Sequence, residues 1–249
     1  MRKLFFFISL LLLFSSTILA QVGINSNNSL PDPSAMLDVA STTRGFLPPR
    51  ITTTERNAIN SPVAGLTIYN SSTNCIETYN GSGWVSNTHY IGESYGGGIV
   101  FYVYDHGQHG LIAATTDQST GIHWHNGTAR VTGTKGDGLN AGAMNTAIII
   151  ATQMADNQSG NFAAKICADY SVTVNGITYG DWYLPSIYEL NLLYLQRNVV
   201  GGFNDNRYWS SSEYLTNSDI FAYAFWFFMG SSYPDGKELS HYVRAVRAF

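Results

Sequence analysis

Three serines followed by a glutamate, Ser210–Glu213, are the stretch whose residue types come nearest to a catalytic set. Such a run could supply a nucleophile and an acid. A serine nucleophile, however, needs a base that a third group orients, and no G-x-S-x-G nucleophile elbow surrounds these serines. We therefore expect the hydroxyls to satisfy backbone groups beneath loops, and we expect that the chain is not an enzyme.

Two close pairs of histidines, His106/His109 and His123/His125, have spacings that can ligate a metal ion. Both pairs fall in predicted loops, and neither has a third ligand in clear register. We therefore interpret these histidines as structural and expect no metal site.

The segment Ile220–Met229, IFAYAFWFFM, is apolar at both odd and even positions. A strand with one solvated face would alternate apolar and polar residues. We expect one face to be core: Phe221, Tyr223, Phe225 and Phe227. The other face is either covered by a loop or exposed as an aromatic patch: Ala224, Trp226 and Phe228. Aromatic side chains stack on sugar faces and anchor protein interfaces, so the exposed alternative is the functional one.

Polar and aromatic residues surround this segment. Binding surfaces that adapt to a ligand are rich in Tyr, Ser and Asn, and the same types are frequent here. The candidate ligand-binding residues are Tyr214, Asn217, Asp219, Trp226, Phe228, Ser231, Tyr233, Asp235 and His241.

A well-marked helix start must help to position these residues. In Gly180–Arg197, Ser186 and Glu189 have the spacing of a capping box, and Pro185 disfavours helical geometry at the residue before it. The apolar positions that follow at helical spacing are Ile187, Leu190, Leu193 and Tyr194.

Other patterns complete an α+β prediction. Thr52–Glu55 is a second capping-box match, and Asn175-Gly176 is typical of a hairpin turn. The glycines at 96–98 lack the Lys-Ser/Thr of a phosphate loop and predict a bulge or turn. Helices are predicted over 141–155 and 162–170, and strands over 35–39, 65–69, 75–79, 99–103, 111–114, 208–213, 220–229 and 242–249.

The first twenty residues resemble a signal peptide. Arg2 and Lys3 precede a short apolar run, and Ala20 is the expected last residue before cleavage. Losing Arg2 and Lys3 lowers the 13 basic residues to 11, against 17 acidic ones, for a formal charge of −6. No basic run follows, which excludes nucleic acid as an expected partner, and no later stretch is long enough to span a membrane.

The remaining chain divides into two predicted parts. Five of the seven prolines lie in Pro31–Pro62, and the composition changes near residue 85. We predict a small β-rich connector or stalk over residues 21–88 and a larger domain over residues 89–249. The connector is too small to bury a large core, so a second copy of the chain is a candidate partner for it.

Four blocks of the larger domain carry a family resemblance: YGGGIVFYV…HGLIAATTDQSTGIHW, AAKICADY…NGITYGDWYLPSIYELNLLY, YWSSSEY and YVRAVRAF. In order and spacing they resemble the DUF1566 family of bacterial extracellular domains, also known through the C-terminal domain of a collagen-like adhesin. The resemblance implies a C-type-lectin-like fold, in which two main helices flank small twisted antiparallel sheets with long loops. It also implies an adhesive role with glycans or host polymers as ligands. The residues it marks as structural are Trp182, Pro185, Ser186, Glu189, Trp209, Ser211, Glu213, Arg244 and Arg247.

Two comparisons concern cofactors and cysteines, the first with calcium-binding C-type lectins and the second with the DUF1566 family. Calcium-dependent lectins use Glu-Pro-Asn or Gln-Pro-Asp with Trp-Asn-Asp, which neither Tyr233-Pro234-Asp235 nor Asn204-Asp205-Asn206 matches. We expect no cofactor, with calcium the alternative left open. Some family members carry a cysteine where this chain has Ala245, so Cys167 lacks the partner expected there. We favour unpaired buried thiols over a bridge between Cys75 and Cys167.

The segment GINSNN…PSAMLDV…TTRGFLPPRITTTERNAI…GLTIYN…CIETYNGSGW resembles the front of exported or fibre-like bacterial proteins. We expect an exported chain, extracellular or at the cell surface, with the periplasm as an alternative. The first hypothesis is a binding or adhesion protein that recognises a glycan or a host or cell-surface protein non-covalently. The second is a structural fibre or assembly component whose aromatic face is an oligomer interface.

Overall fold

A computed structural model describes residues 21–86, 88–156 and 159–249, so the predicted signal peptide lies outside the described residues. The chain separates into two compact units. The described part of the first is 21–49, and the second is Arg50–Phe249. The predicted division between residues 88 and 89 stays a prediction.

Within these described ranges the structure has five α-helices, one 3-10 helix and 17 strands. The helices are α1 Thr53–Asn57, α2 Ala141–Asp156, α3 Ala163–Ala168, α4 Ile187–Leu195 and α5 Arg197–Val200, and the 3-10 helix is Asp105–Gly107. The strands are β1 Val22–Ile24, β2 Leu37–Val39, β3 Arg50–Ile51, β4 Thr67–Asn70, β5 Cys75–Tyr79, β6 Trp84–Ser86, β7 Ser94–Tyr95, β8 Gly98–Tyr104, β9 His109–Ala113, β10 Ser119–Ile122, β11 Val172–Val174, β12 Ile177–Tyr179, β13 Arg207–Glu213, β14 Phe221–Trp226, β15 Ser231–Gly236, β16 His241–Val243 and β17 Val246–Ala248.

The second unit is built on three larger sheets and a hairpin. Their strand orders are β3-β4-β5-β6, β17-β9-β8-β7 and β10-β16-β13-β14-β15, with β11-β12 as the hairpin. The last strand, β17, pairs antiparallel with β9 near the start of the predicted larger domain. The ring of Phe249 also lies 4.7 Å from that of His89. The two ends of residues 89–249 are therefore close together.

Both predicted capping boxes are confirmed. At α1, Thr52 accepts from the Glu55 N–H and Glu55 accepts from the Thr52 N–H. At α4, the Ser186 hydroxyl accepts from the Glu189 N–H at 3.2 Å, and Glu189 accepts from the Ser186 N–H at 2.8 Å. Glu189 also accepts from the Asn140 N–H at 2.7 Å, which ties α4 to the loop before α2. Burial raises the pKa of Glu189.

The core of the described chain consists of two buried apolar clusters. The first contains three buried tryptophans from different elements, Trp124, Trp182 and Trp209. The second contains Tyr208 and Phe225, from neighbouring strands of the five-stranded sheet. The sheet therefore contributes to both clusters, and this fixes the position of β13 and β14.

The three glycines at positions 96–98, where β8 begins, are required by close packing. A Cβ on Gly96 would overlap the guanidinium of Arg247, and one on Gly97 would overlap a methyl group of Val172. A Cβ on Gly98 would overlap the carbonyl oxygen of Ala113. Gly96 and Gly97 also have positive φ values, of 56° and 87°. The predicted turn at these glycines is confirmed by the β7–β8 hairpin.

The nine residues that the family resemblance marks as structural are all buried. Arg244 is an example: its Nε donates to Asp117 at 2.7 Å, and its Nη2 donates to the Gly202 carbonyl at 2.6 Å. Arg247 donates from Nε and Nη2 to the two carboxylate oxygens of Asp181, at 2.7 and 2.9 Å. These contacts hold the C-terminal strand against loops distant in sequence.

Cys75 and Cys167 are both buried and unpaired, as the sequence predicted. Cys75 donates from its Sγ to the Thr73 carbonyl at 3.3 Å. Cys167 lies within the first apolar cluster, and burial raises the pKa of its thiol well above the usual value.

Candidate binding site

One end of the five-stranded sheet gathers several of the predicted ligand-binding residues. Arg207 at the start of β13 pairs with Trp226 at the end of β14, and Trp226 pairs with Ser231 on β15. Paired residues of neighbouring strands lie on the same face of a sheet. Tyr233, two residues after Ser231, therefore lies on this face too. Antiparallel register is what brings these residues together.

An ion-pair network is the centre of this group. Arg207 Nη1 donates to both carboxylate oxygens of Asp235, each at 2.8 Å. His241 Nε2 lies 2.9 Å from Asp235 Oδ2, and its ring centroid is 4.3 Å from that of Trp209. Burial lowers the pKa of His241, and the Asp235 carboxylate offsets part of that effect.

Aromatic rings surround the guanidinium of Arg207. Its carbon lies 4.9 Å from the ring centroid of Trp226 and 5.8 Å from that of Tyr233. These distances fall within the range of cation–π attraction. The Tyr233 hydroxyl accepts from Ser231 Oγ at 3.1 Å. Arg207 and His241 are part of the lining of a pocket of about 280 Å³; the lining residues are Asn206, Arg207, Trp226, Ser240, His241 and Tyr242.

Three predicted ligand-binding residues lie elsewhere. Tyr214, Asn217 and Asp219 belong to the turn between β13 and β14. That turn precedes Phe221, whereas Trp226 is at the other end of the six-residue strand β14. The two ends of such a strand are ~17 Å apart. The structure therefore does not bring this turn into the pocket, and its role in binding stays a prediction.

The aromatic segment is partly buried on both faces. Ala224, Phe225 and Phe227 are buried, whereas Trp226 is half-buried. Phe228, which follows the strand, is 64% exposed. Neither sequence alternative therefore holds for the whole face that contains Trp226, because coverage decreases toward the β14–β15 turn.

Of the pocket lining, the sequence analysis missed Asn206, Arg207, Ser240 and Tyr242, and Arg207 is the charged residue among them. No local pattern in the sequence marks Arg207, because its partner Asp235 is 28 residues further along the chain. A second missed feature is a groove of about 700 Å³ beside α4; its lining includes Asp137, Tyr188, Asn191, Phe225, Ser231 and Ser232. Of these, only Ser231 was among the predicted ligand-binding residues.

The three serines of β13 are buried and bonded within the protein. Ser210 Oγ donates to the Tyr223 carbonyl at 2.7 Å, and Ser212 Oγ donates to the Gly136 carbonyl at 2.8 Å. Ser211 Oγ accepts from Asn145 Nδ2 at 3.3 Å. These hydroxyls satisfy neighbouring polar groups, as the sequence analysis predicted for them.

The two histidine pairs with metal-ligand spacing do not assemble into a metal-binding cluster in the part of the chain that the structure describes. Within residues 21–86, 88–156 and 159–249, no group of three or more His, Cys, Asp or Glu side chains is placed to hold a metal ion. The rings of His123 and His125 stack with centroids 6.0 Å apart, and burial lowers the pKa of His125. The Asp235 oxygens are already engaged by Arg207 and His241.

Comparison with known families decides the affiliation of the second unit. The family model described as the Lcl C-terminal domain matches residues 113–247, more than half of the chain. This chain belongs to the Lcl C-terminal domain family. The match contains the whole of the β13–β16 pocket. A second model, described as a phage-tail-like trimerisation region, matches residues 23–141. No curated protein matches the chain.

Membership of the Lcl C-terminal domain family and the trimerisation match both fit an extracellular, fibre- or adhesin-like protein. The resemblance stated from the sequence is thereby supported at that coarser level, and neither model bears the name DUF1566. Among the helices of the described residues, none is long and apolar enough to cross a membrane.

Proposed function

We propose that this chain is an exported binding protein of the adhesin type. Its C-terminal domain recognises a glycan or protein ligand non-covalently at the pocket around Arg207 and Trp226. The observation that carries the proposal is the position of Arg207, held by Asp235 and flanked by the rings of Trp226 and Tyr233. Membership of the Lcl C-terminal domain family supports an adhesive role.

The pocket has the chemistry of a recognition site. Half-buried Trp226 offers an apolar ring face to a sugar or to a partner side chain. Within the described part of the chain, Arg207 uses only Nη1 in hydrogen bonds to protein atoms, so its Nε and Nη2 are available as donors. The Asp235 contact fixes the guanidinium before a ligand arrives, which reduces the entropy lost on binding.

The C-type-lectin-like fold is part of the proposal. Three features support it: two main helices, α2 and α4; small, mainly antiparallel sheets; and close termini of residues 89–249. We also propose that binding, rather than catalysis, is the activity. In support of this, Ser210, Ser211 and Ser212 are buried, and their hydroxyls form hydrogen bonds with neighbouring groups of the protein.

The test is a paired comparison of two variants. Trp226→Ala combined with Tyr233→Ala removes both rings that flank Arg207, and Tyr214→Ala removes a predicted residue at the far end of β14. Each purified protein is applied to a glycan array and to cells, and its melting temperature verifies folding. We expect the double variant to lose at least ~90% of binding, about one factor of ten in affinity. Tyr214 does not line the pocket, so Tyr214→Ala should retain binding; a loss in Tyr214→Ala alone would instead favour the turn between β13 and β14 as the site. Unchanged binding by a folded double variant would refute the site assignment.

A structural fibre or assembly component is the second candidate function. The trimerisation match favours it, as do the exposed side chains of Phe228 and Met229 at the end of the aromatic segment. Light scattering separates the two functions: a monomer that still binds ligand excludes assembly as the main role. An oligomer that Phe228→Ser dissociates would instead identify the aromatic face as an interface.

A further inference from the structure

The two strands of the first unit present an uncovered apolar face. β1 and β2 are parallel, with Val22 paired with Leu37 and Ile24 paired with Val39. Residues two apart in a strand, and residues paired across strands, lie on the same side of a sheet. All four side chains therefore form one surface, here named the β1–β2 face. Their exposed fractions range from 41% to 56%.

The opposite side of the same pair is closed by the chain itself. Gly23 and Asp38 point to that side, and a Cβ on Gly23 would meet the Pro31 ring at 3.4 Å. Asp38 Oδ2 accepts from the Asp32 N–H at 3.0 Å. The segment between the strands thus folds over this side, while the β1–β2 face stays open.

The first unit has almost no interior of its own. Among residues 21–49, only Pro48 is buried. A segment below ~40 residues rarely buries enough apolar surface to fold alone, and a two-stranded sheet by itself is marginal in water. The β1–β2 face therefore needs a partner that covers it.

We propose that the β1–β2 face packs against the same face of two further copies of this chain, around a threefold axis. The trimerisation match starts at residue 23, within β1, and continues through β2, which makes copies of the chain the partner. In a closed ring of three chains, every β1–β2 face is covered by its neighbours and none is left unpaired. This inference rests on the self-association within the proposed function and names the surface responsible.

The first test substitutes two leucines, one on the β1–β2 face and one outside it, and measures the mass of the assembly. Leu37 belongs to it, whereas Leu30, 90% exposed, lies in the segment between the strands. Sedimentation equilibrium is performed on the chain as its host produces it. We expect the wild type and Leu30→Asp to have three times the mass of one chain. Leu37→Asp would raise the concentration of half-assembly by about 100-fold or more, because each 1.4 kcal/mol of lost contact energy is tenfold.

Leu37→Asp could lose the trimer because it unfolds, so a second test uses cross-linking, which gives a signal only when the chains associate. In Leu37→Cys, the new thiol lies on the β1–β2 face, and the native Cys75 and Cys167 are buried. A short bismaleimide is expected to join chains of Leu37→Cys and to leave those of Leu30→Cys single on a denaturing gel.

The possible results separate the levels of the proposal. A monomeric wild type would overturn both the packing proposed for the β1–β2 face and the assembly function. The face would then be covered by something other than a copy of this chain. A trimer that persists in Leu37→Asp, or that cross-links equally through Leu30→Cys, overturns the face alone. Ligand binding through Trp226 is measured separately, so failure of the recognition proposal leaves these results unaffected.

Discussion

The ammonium of Lys237 lies 2.6 Å from a carboxylate oxygen of Glu213, and both side chains are fully buried. All three ammonium protons have acceptors, since Nζ also donates to the carbonyls of Arg130 and Ser218 at 2.6 and 2.7 Å. Nζ is 4.1 Å from the ring centroid of Trp124. The pair therefore ties β13 and the residue after β15 to two loops.

Removal of one partner should destabilise the protein strongly. Lys237→Met leaves the Glu213 carboxylate buried without its counter-ion, so we expect the free energy of unfolding to fall by about 3–5 kcal/mol. Urea denaturation followed by tryptophan fluorescence measures the change. The double variant Lys237→Met with Glu213→Leu should cost less than the sum of the single changes, because no unpaired charge remains.

The more exposed pair Lys165–Asp169 provides the control. Lys165→Met removes an i,i+4 contact on α3, so we expect a loss of at most ~0.5 kcal/mol. Equal losses for Lys165→Met and Lys237→Met would contradict the role assigned to the buried pair.

The stability of the pocket should depend on pH through His241. Because burial lowers its pKa, the folded protein favours the neutral ring, while the unfolded chain takes up a proton near the ordinary value of ~6.5. The contribution of His241 to the free energy of unfolding is complete above that pH. It is lost as the pH falls through the pKa of the folded state, by at most ~1.4 kcal/mol per pH unit for one proton.

The variant His241→Gln isolates this effect, because glutamine can still donate to Asp235 but does not titrate. The difference in unfolding free energy between wild type and variant is measured from pH 8 to pH 5. We expect the wild type to lose stability relative to the variant below pH ~6.5. A difference that is constant over this range would show that His241 does not titrate as its surroundings predict.

A third prediction concerns Gly98, the first residue of β8. Gly98→Ala places a methyl group against the backbone oxygen of Ala113, which cannot move without disturbing the β8–β9 pairing. We expect a loss of about 1–3 kcal/mol or more. Gly83 has open space where its Cβ would be, so Gly83→Ala should change stability by at most ~1 kcal/mol. Thermal unfolding of both variants compares them, and similar melting temperatures would refute the packing argument.

Local patterns were predictable because the atoms involved are close in sequence. The capping boxes at Thr52 and Ser186 need only two side chains three residues apart. The Asn175-Gly176 turn needs two residues that tolerate positive φ, and they have values of 51° and 81°. The first strand, β1, was missed because its three residues are paired only with β2, further along the chain.

The residue types of the candidate site, its aromatic segment and the helix start beside it follow from the amino-acid order. Tertiary structure alone decided that Arg207 meets Asp235, 28 residues later, and that the turn with Tyr214 lies at the other end of β14. The physical reason is that a cap or turn is set by a few neighbouring dihedral angles. Strand register, by contrast, follows from the combined burial of many side chains distant in sequence.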